Sequence, residues 1–463
     1  MKWFAVVLMV VFASCTSGGG NIIREIGIGL HDNNELKIQV DVATTRDAKV
    51  YAEYWADSLP SRRMTSAASE SGLRHSLVLG NIVPQTGYSF RVVTVRDGAE
   101  SRSKVYTFRS RALPMWLQDQ FKYSCTNPEL LPGSFKEGFL LINKREAPGL
   151  MYIVDTKGQL RWYHMVDGTG VKVAHFTKDT TVISILGKSD EPTSYGSEIL
   201  EVNLLGDTLL HLKKGQGDLQ YTIHHEVMKD RVGNVVTIYE DPRIMDLRRI
   251  GGSERDTVHG DGILVLDKQG KRVWQWSVFD VCDPFADADL KKHKSDWTHA
   301  NSLSFDTDGN YLVSFYNLAQ VWKVDAHSGK VLWKLGKGGT IGLPASGVFS
   351  QSHAVHVNPQ GSLMLFDNGV DKKRSGVFAF NIRPDGSAAT VDWHFNLPAE
   401  IYNDRMGSAY MIGDSLVLCC CSKKHITVLA DKKGMLLWTL DTAIPPYRVE
   451  FIPAAMVKSF ILN

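Results

Sequence analysis

Histidines recur along the chain at one kind of position, the start of a short apolar strand that begins a repeated unit. Four successive units carry one there, namely His175, His225, His299 and His353, and His224 directly precedes His225. Side chains at the same position of stacked repeats are expected to lie at the same height in the fold. The spacing therefore predicts that these imidazoles converge at one mouth of a shared channel.

A group of imidazoles supports two kinds of chemistry, because histidine titrates near neutral pH. In the first, a neutral imidazole attacks an electrophilic sulfur or phosphorus atom while its neighbours act as acid and base. In the second, three neutral ring nitrogens bind zinc and leave one coordination position open. A single histidine at a strand end is usually structural, but repetition at one position favours a shared role. The sixth unit offers Arg405 at that position instead.

The elements that must position these side chains are short strands arranged in a repeat. One half of each unit is an apolar strand, a turn with glycine and a tryptophan, with clear copies at residues 158–162, 270–274, 329–333 and 434–438 and degenerate ones at Gly206 and Gly386. The other half is a second hairpin, as in residues 306–313. Four strands in each of six units predict an all-β fold, a six-bladed β-propeller over residues 132–463.

Residues 23–113 have a different pattern, that of a small immunoglobulin-like or fibronectin III-like β-sandwich. Period-two alternation over residues 36–42 and 49–54 indicates half-buried strands. Leu79, Pro84, Thr86, Tyr88 and Phe90 resemble the fibronectin type III pattern, in which the tyrosine caps a corner between the sheets. Residues 114–131 are predicted to link this domain to the propeller, and no chemistry is assigned to the domain.

The amino terminus resembles a bacterial lipoprotein signal. Lys2 precedes an apolar run of about eleven residues, which is too short for the ~20 residues of a membrane-spanning helix. Small residues precede Cys15, and a polar run rich in glycine follows it. We expect residues 1–14 to be a signal peptide, Cys15 to carry the lipid and residues 15–22 to form a flexible tether, which predicts an exported lipoprotein of the periplasm or outer membrane. A plain secretory peptide with an incidental cysteine is the alternative.

The composition excludes several classes of protein. The chain has 52 Lys and Arg against 50 Asp and Glu, so no strong positive field favours nucleic acid as a partner. A mean hydropathy of -0.14 excludes a polytopic membrane protein and leaves the lipid anchor as the only expected membrane contact. The other cysteines show no zinc-site spacing and no assignable disulfide, and residues 419–421 are interpreted as part of a buried apolar strand.

Three longer strings of the sequence match one family. They cover residues 260–276, 297–314 and 352–369 and include Thr298-His299-Ala300-Asn301, Ser352-His353-Ala354 and Phe366-Asp367-Asn368-Gly369. The strings resemble bacterial arylsulfate sulfotransferases, and the likeness extends over residues 130–463. It implies an exported six-bladed propeller with an amino-terminal β-sandwich, which moves sulfate from an aryl sulfate to a phenol through a sulfohistidine and uses no nucleotide sulfate donor or other cofactor.

The resemblance also implies roles for individual residues. Carried over by motif, it makes His353 the nucleophile, His299 the acid and base for the phenolic oxygen, and His225 a ligand of the sulfuryl oxygens. Further substrate contacts are expected from His224, His175, Asn301, Tyr316 and Arg405. No metal ion has a part in this scheme.

Tyr316 departs from the family pattern, which places an arginine at this point of the strand that follows His299. A guanidinium stabilises the sulfuryl oxygens during transfer, whereas a tyrosine hydroxyl donates one uncharged hydrogen bond. Arg405, Arg374 or Arg243 would restore the charge if one of them folds toward the channel mouth. Two alternatives therefore stay open: a catalytically impaired propeller that binds a ligand or partner, and a histidine-ligated metal hydrolase or lyase.

Overall fold

The computed structural model describes residues 11–12, 22–32 and 34–457, and the chain forms two compact units. The first unit contains the described residues up to Gln118 together with Arg161–Tyr163 and Val457, and the second comprises Asp119–Leu160 and His164–Met456. Both units are built from strands, which confirms the predicted all-β class. The helical segments are single turns: Met115–Leu117, Pro128–Leu130, Gly133–Lys136, Arg248–Ile250, Val278–Asp280, Pro284–Ala286, Leu290–His293, Lys294–Asp296, Ala345–Gly347, Ala399–Ile401, Ser422–Lys424 and Ala454–Val457.

In the first unit two sheets share one long strand. The strands are Val11–Phe12, Ile23–His31, Asn34–Ala56, Met64–Thr65, Gly72–Leu79, Gly87–Arg96, Ala99–Arg102 and Tyr106–Arg109. The first half of Asn34–Ala56 pairs with Ile23–His31 and Gly72–Leu79, and its second half pairs with Gly87–Arg96. Alternate residues of both sheets fill one apolar core, which confirms the β-sandwich. Tyr88 is buried there, and its hydroxyl accepts a 2.9 Å hydrogen bond from the Val83 N–H.

The second unit is a six-bladed β-propeller, whose blades we number in chain order. From the innermost strand outward, blade 1 comprises Val449–Ile452, Phe139–Lys144, Gly149–Asp155 and Leu160–Val166, and blade 2 comprises Gly170–Phe176, Thr181–Gly187, Glu198–Asn203 and Thr208–Lys213. Blade 3 comprises Ile223–Lys229, Val235–Met245, Asp256–Leu266 and Arg272–Ser277, with Tyr195–Gly196 on the inner side of Ile223–Lys229. Blade 4 comprises Ala300–Phe305, Tyr311–Phe315, Gln320–Val324 and Val331–Gly336. Blade 5 comprises Ser352–Val357, Leu363–Asp367, Gly376–Ile382 and Ala389–Asn396, and blade 6 comprises Ser408–Ile412, Leu416–Cys421, Ile426–Asp431, Leu436–Thr442 and Phe121–Cys125.

Strands from both ends of the propeller sequence close the ring. Val449–Ile452, near the carboxyl end, is the inner strand of blade 1 and pairs with Phe139–Lys144. Phe121–Cys125 pairs with Leu436–Thr442 as a fifth, outer strand of blade 6. The structure therefore places residues 121–125 in a blade, although they lie within the predicted linker 114–131. The physical reason is that the outer edge of a four-stranded blade offers unpaired backbone groups to any neighbouring extended segment.

The repeated glycine and tryptophan residues pack neighbouring blades together. Gly329 and Gly386 have φ angles of 70° and 68°. A Cβ at Gly329 would lie 2.8 Å from the ring of Trp276, and one at Gly386 would lie 3.0 Å from the ring of Trp333. The turn of one blade thus needs glycine for its left-handed backbone and for the tryptophan of the preceding blade.

A β-bulge interrupts the inner strand of blades 2 to 5. The pairing shifts register between Val171 and Val173, His224 and Val227, Ala300 and Ser302, and His353 and His356. His225 and His299 lie at or beside these bulges with left-handed backbone, at φ angles of 60° and 50°. Since a bulge re-aims the side chains around it, these irregularities determine how the histidines meet one another.

The amino-terminal prediction falls almost entirely outside the described residues. Val11–Phe12, within the predicted leader, pairs with Glu25 and Ile26, but Cys15 and most of the tether are not described, so signal peptide and lipidation stay predictions. Within residues 22–32 and 34–457, no helix is long and apolar enough to cross a membrane. The five cysteines described there are free, and the three at 419–421 lie buried in the second strand of blade 6, as expected.

Candidate active site

Three inner strands bring His225, His299 and His353 into one group at the propeller axis. The ring centroids of His225 and His299 lie 5.1 Å apart. The ring of Tyr316 lies 5.2 Å from that of His299 and 5.6 Å from that of His353. The group is therefore continuous from blade 3 to blade 5.

The tautomer of His353 follows from its hydrogen bonds. His353 Nδ1 lies 2.6 Å from Asn368 Oδ1. The amide nitrogen of Asn368 donates to the carbonyl oxygens of Asn403, at 2.8 Å, and Met406, at 2.9 Å, which fixes its oxygen toward the imidazole. Nδ1 must then carry the hydrogen, and Nε2 carries the lone pair, which accepts a 3.2 Å hydrogen bond from the Met406 N–H.

The charge state of His353 suits a nucleophile. The residue is 2% exposed. Burial lowers the pKa of His353 to about 3, and the nearby charges of Arg448 and His299 act in the same direction, against the hydrogen bond that His353 donates to Asn368. The imidazole is therefore neutral at physiological pH, with its unshared electron pair on Nε2.

His299 is held in a state that suits an acid. Its Nδ1 lies 2.5 Å from Asp296 Oδ2. Burial opposes the charged ring, but the hydrogen bond and charge of Asp296, with the charge of Asp261, raise the pKa of His299 above its ordinary value. The two neighbouring histidines of the group thus have pKa values displaced in opposite directions, which is the usual sign of an acid and nucleophile pair.

His225 is connected to a carboxylate through His224. Asp261 Oδ1 lies 3.1 Å from His224 Nε2, and the Nδ1 atoms of His224 and His225 lie 2.7 Å apart. Asp261 also accepts hydrogen bonds from the Thr298 hydroxyl and the Ala300 N–H. One hydrogen lies between the two Nδ1 atoms, so one ring donates and the other accepts. Burial, followed by the charges of the neighbouring histidines and Arg448, lowers the pKa of His225 well below its ordinary value, so this ring is neutral.

Comparison with known protein families decides the identity of the chain at this level. The model of the arylsulfotransferase family matches residues 127–379, more than half of the 463 residues. The chain belongs to the arylsulfotransferase family. The matched segment contains all three histidines of the group and Asn368, and it ends before Met406.

The other comparisons are more distant. No curated protein matches the chain. Among solved structures, it is similar to a Bacteroides caccae protein of unknown function, with 12% identity, a TM-score of 0.44 and coverage of 68% of this chain and 98% of that one. It is also similar to a Lactobacillus plantarum protein, with 14% identity, a TM-score of 0.39 and coverage of 88% and 99%. A virginiamycin B lyase from Staphylococcus aureus has 11% identity, a TM-score of 0.34 and coverage of 70% and 100%. Likenesses this low carry no functional meaning.

The hydroxyl of Tyr316 forms a hydrogen bond with the protein itself. The hydroxyl donates to the carbonyl oxygen of Asp404 at 2.9 Å. Burial, followed by the charge of Asp404, raises the pKa of Tyr316 to about 12, so the phenol stays neutral. The side chain therefore packs between His299 and His353 and offers no charge to a substrate.

His175 lies apart from His225, His299 and His353. It is the sixth residue of Gly170–Phe176, whereas His353 is the second residue of its strand, so His175 lies at the other end of the channel. There its Nε2 lies 2.5 Å from Glu226 Oε1 and its Nδ1 lies 3.6 Å from Glu450 Oε2. It lines a cavity of about 410 Å³ with the far ends of the other inner strands. The expected convergence of four histidines is therefore wrong for His175, because the strand of blade 2 begins earlier relative to its histidine.

In the part of the chain that the structure describes, the three arginines considered as substitutes for the family arginine form no hydrogen bond with the histidines, although the charge of Arg405 acts on Tyr316. Arg405 is 62% exposed at its side chain, 3.8 Å from Asp404. Arg374 donates from Nε to the carbonyl oxygen of Leu397 at 3.0 Å, and Arg243 forms an ion pair with Asp241 at 3.0 Å.

Asn301 connects blades 4 and 5 beside the histidines. Its amide nitrogen donates to the Ser352 carbonyl oxygen at 2.8 Å and so connects blade 4 to the residue before His353. Its own carbonyl oxygen accepts hydrogen bonds from Arg448 Nη2 at 2.8 Å and from the Tyr447 hydroxyl at 3.3 Å. The Asn301 amide oxygen is buried without a hydrogen-bond partner, which leaves one acceptor near the histidines.

Several residues of the site escaped the sequence reasoning. Asn368 lies in the string Phe366-Asp367-Asn368-Gly369, which carries the family resemblance but indicates no role for the amide, and Asp296 lies three residues before His299, a spacing that could have indicated the pair. Tyr447 and Arg448 directly precede Val449–Ile452, the strand that closes blade 1, and nothing in the repeat places them beside blades 3 and 4. Among the described residues, no group of three or more His, Cys, Asp or Glu side chains has an arrangement that would hold a metal ion.

Proposed function

We propose that this arylsulfotransferase moves a sulfuryl group from an aryl sulfate to a phenol, with His353 as the nucleophile and a sulfohistidine as the intermediate. The observation that carries the proposal is the hydrogen bond from His353 Nδ1 to Asn368 Oδ1, which leaves the lone pair on Nε2. Family membership supports sulfotransferase chemistry in general, and the separated pKa values of His353 and His299 support these two roles.

In the first step the Nε2 lone pair of His353 gives up the hydrogen bond from the Met406 N–H and forms a bond to sulfur. The bond between sulfur and the aryl oxygen breaks, and its electron pair leaves with the oxygen. His299, as an imidazolium, gives that oxygen a proton from Nε2, since its Nδ1 is held by Asp296. The products are a free phenol and an SO₃ group on His353, whose Nδ1 hydrogen remains bonded to Asn368.

In the second step an acceptor phenol gives its proton to Nε2 of the now neutral His299. The acceptor oxygen forms a bond to sulfur, the bond between Nε2 of His353 and sulfur breaks, and the electron pair returns to Nε2. His299 regains its charge and His353 its lone pair, so the cycle needs no added cofactor. His225, close to both rings, binds a sulfuryl oxygen once its Nε2 carries a proton, which a bound anion favours.

The test is sulfate transfer from 4-nitrophenyl sulfate to phenol. His353→Ala should abolish release of 4-nitrophenol, whereas the control His356→Ala, three residues along the same strand, should retain it. Brief exposure of the wild-type protein to the donor without acceptor should add about 80 Da, one SO₃, to the peptide that contains His353. Full activity without this adduct under rapid quenching would exclude the covalent scheme, and loss of activity with a chelator would favour a metal enzyme.

We also propose that the chain is an exported bacterial lipoprotein anchored through Cys15 in the periplasm or outer membrane. The small residues before Cys15 and the polar run after it support this localisation. In a bacterial host, the wild-type protein should sediment with membranes and require detergent for release, and Cys15→Ser should not acquire the lipid. Release of both proteins without detergent would contradict the anchor.

A further inference from the structure

We infer that Arg145 binds the oxygens of the sulfuryl group and supplies the cation that family sequences carry where Tyr316 stands. The inference rests on the proposed function and adds to it a substrate-binding residue from blade 1. Arg145 directly follows the strand Phe139–Lys144 and is outside every motif that the sequence reasoning used.

Arg145 is a buried cation whose charge is offset only in part, by the exposed carboxylate of the next residue, Glu146. The residue is 5% exposed, and among the described residues no carboxylate lies within ion-pair distance of it. Its Nη1 lies 3.1 Å from Met406 Sδ, and its Nε is buried without a hydrogen-bond partner. A thioether is a weak acceptor, so the guanidinium is poorly satisfied in the empty site.

The contrast with Arg448 shows that this arrangement is unusual within the same domain. Arg448 is equally buried, but it forms an ion pair with Glu226 and donates to the carbonyl oxygen of Asn301. A buried guanidinium without such partners is strongly unfavourable unless an anion binds to it. Burial accordingly lowers the pKa of Arg145, although an arginine remains protonated in proteins.

Met406 connects this cation to the nucleophile. Its backbone N–H points at His353 Nε2, at 3.2 Å, while its sulfur contacts Arg145. A Cβ at Gly407 would lie 2.8 Å from the Cys420 carbonyl oxygen, so the position after Met406 requires glycine. The Met406 side chain can rearrange, since three rotatable bonds let methionine adapt to its surroundings. A sulfate ester that approaches His353 would displace the thioether and take its place on Arg145.

A second cation reinforces the charge of this region. Lys172, the bulge residue of blade 2, is 3% exposed and donates from Nζ to the Lys188 carbonyl oxygen at 3.0 Å. The structure described gives it no carboxylate within ion-pair distance either. Burial lowers the pKa of Lys172, the charge of Glu191 opposes this, and the charge of Arg145 lowers the pKa further, so the two cations are close enough to repel. A bound anion beside Arg145 would add to the partial compensation that Glu191, Glu146 and Asp190 give.

The test compares Arg145→Met, which removes the charge at similar volume, with Arg145→Lys, which keeps it. Arg374→Met is the control, because the Arg374 side chain donates to the backbone carbonyl oxygen of Leu397, between blades 5 and 6. Arg145→Met should lower kcat/KM for 4-nitrophenyl sulfate by about 10²–10³ and leave KM for the phenol unchanged. Arg145→Lys should retain most of the rate that Arg145→Met loses. Added guanidinium ion should partly restore the activity of an Arg145→Ala protein.

A binding measurement separates this inference from the proposed function. Calorimetry with 4-nitrophenyl sulfate uses the His353→Ala protein, which cannot turn over, with and without Arg145→Met. Weakening of at least about tenfold by Arg145→Met supports the anion site. Wild-type transfer with Arg145→Met as fast as the control would overturn the Arg145 assignment alone. Wild-type protein without transfer or adduct would overturn the proposed function, and unchanged donor affinity would then overturn the anion site as well.

Discussion

Asn368 accepts the Nδ1 hydrogen of His353 through its amide oxygen, which lies 2.6 Å away. The amide is held in this orientation because its nitrogen donates to the carbonyl oxygens of Asn403 and Met406. The nucleophile therefore owes its tautomer to a residue fifteen positions later in the chain. Because a neutral imidazole has two tautomers of similar energy, the fixed amide decides which nitrogen attacks.

The first prediction concerns that amide. Asn368→Leu removes the acceptor, so His353 becomes free to place its hydrogen on Nε2, and sulfation should slow by roughly 10² or more. The measurement is the burst of 4-nitrophenol and the amount of SO₃ adduct. Asn358→Leu is a control of the same kind on a turn of blade 5, where Asn358 Oδ1 accepts from Gln360 and Ser362. Equal loss in both variants would mean that Asn368 acts through folding alone.

The second prediction concerns the pH dependence of sulfation. The His353 pKa of about 3 keeps the nucleophile active over the ordinary range, so no acid limb from this group is expected above that value. His299 has a raised pKa and acts in its protonated form, so kcat/KM for the donor should fall as pH rises through that raised value. Asp296→Asn removes the main source of the increase and should move the fall to lower pH by on the order of one unit.

Donors of different leaving-group strength give the control for this prediction. Phenyl sulfate releases a basic oxygen and depends on the His299 proton, whereas 4-nitrophenyl sulfate releases a stable anion and depends on it less. As pH rises, kcat/KM should therefore fall more steeply with phenyl sulfate than with 4-nitrophenyl sulfate. Identical profiles for both donors would show that His299 does not protonate the leaving group.

The third prediction concerns the pH dependence of stability and His175, which lies outside the site. Although burial disfavours its charge, Glu226 and Glu450 raise the pKa of His175 to about 9. A raised pKa stabilises the fold fully below the ordinary value of 6.5 and loses that contribution as pH rises through about 9. The Tm should fall across this interval in the wild-type protein and should be flatter in His175→Gln. His211→Gln, a change at an exposed ion pair with Glu198, should keep the wild-type slope.

Much of this architecture was predictable because the signals are local and repeated. A turn glycine recurs in each blade and a tryptophan follows it in four clear copies, since each blade must pack on the next one, and this repetition predicts the propeller and its inner strands. The histidines of blades 3 to 5 follow strand starts closely, so their common position was visible. His175 was misplaced because strand starts cannot be read to within a few residues, and half a strand separates the two ends of the channel.

The remainder of the site depends on contacts that no local pattern encodes. Arg448 directly precedes the strand that closes blade 1, and it donates to the carbonyl oxygen of Asn301, 147 positions earlier in the chain. Arg145 and Met406, 261 positions apart, meet only because the ring closes. Both arginines would read from sequence as ordinary surface cations, and only burial and the lack or presence of a carboxylate distinguish their roles.

The last prediction concerns Tyr316 and Arg145 together. In the wild-type background Tyr316→Arg should slow the enzyme, because the larger cation loses the hydrogen bond to the Asp404 carbonyl and repels His299 in its charged form. Tyr316→Phe, which loses only that hydrogen bond, should change the rate by less than about tenfold. In the Arg145→Met background, however, Tyr316→Arg returns a cation to the family position and should recover part of the lost rate. The opposite signs of one substitution in two backgrounds would be a direct sign of coupling between the two positions. If Tyr316→Arg instead accelerates the wild-type enzyme as much as the Arg145→Met protein, then the site has no cation of its own and Arg145 does not supply one.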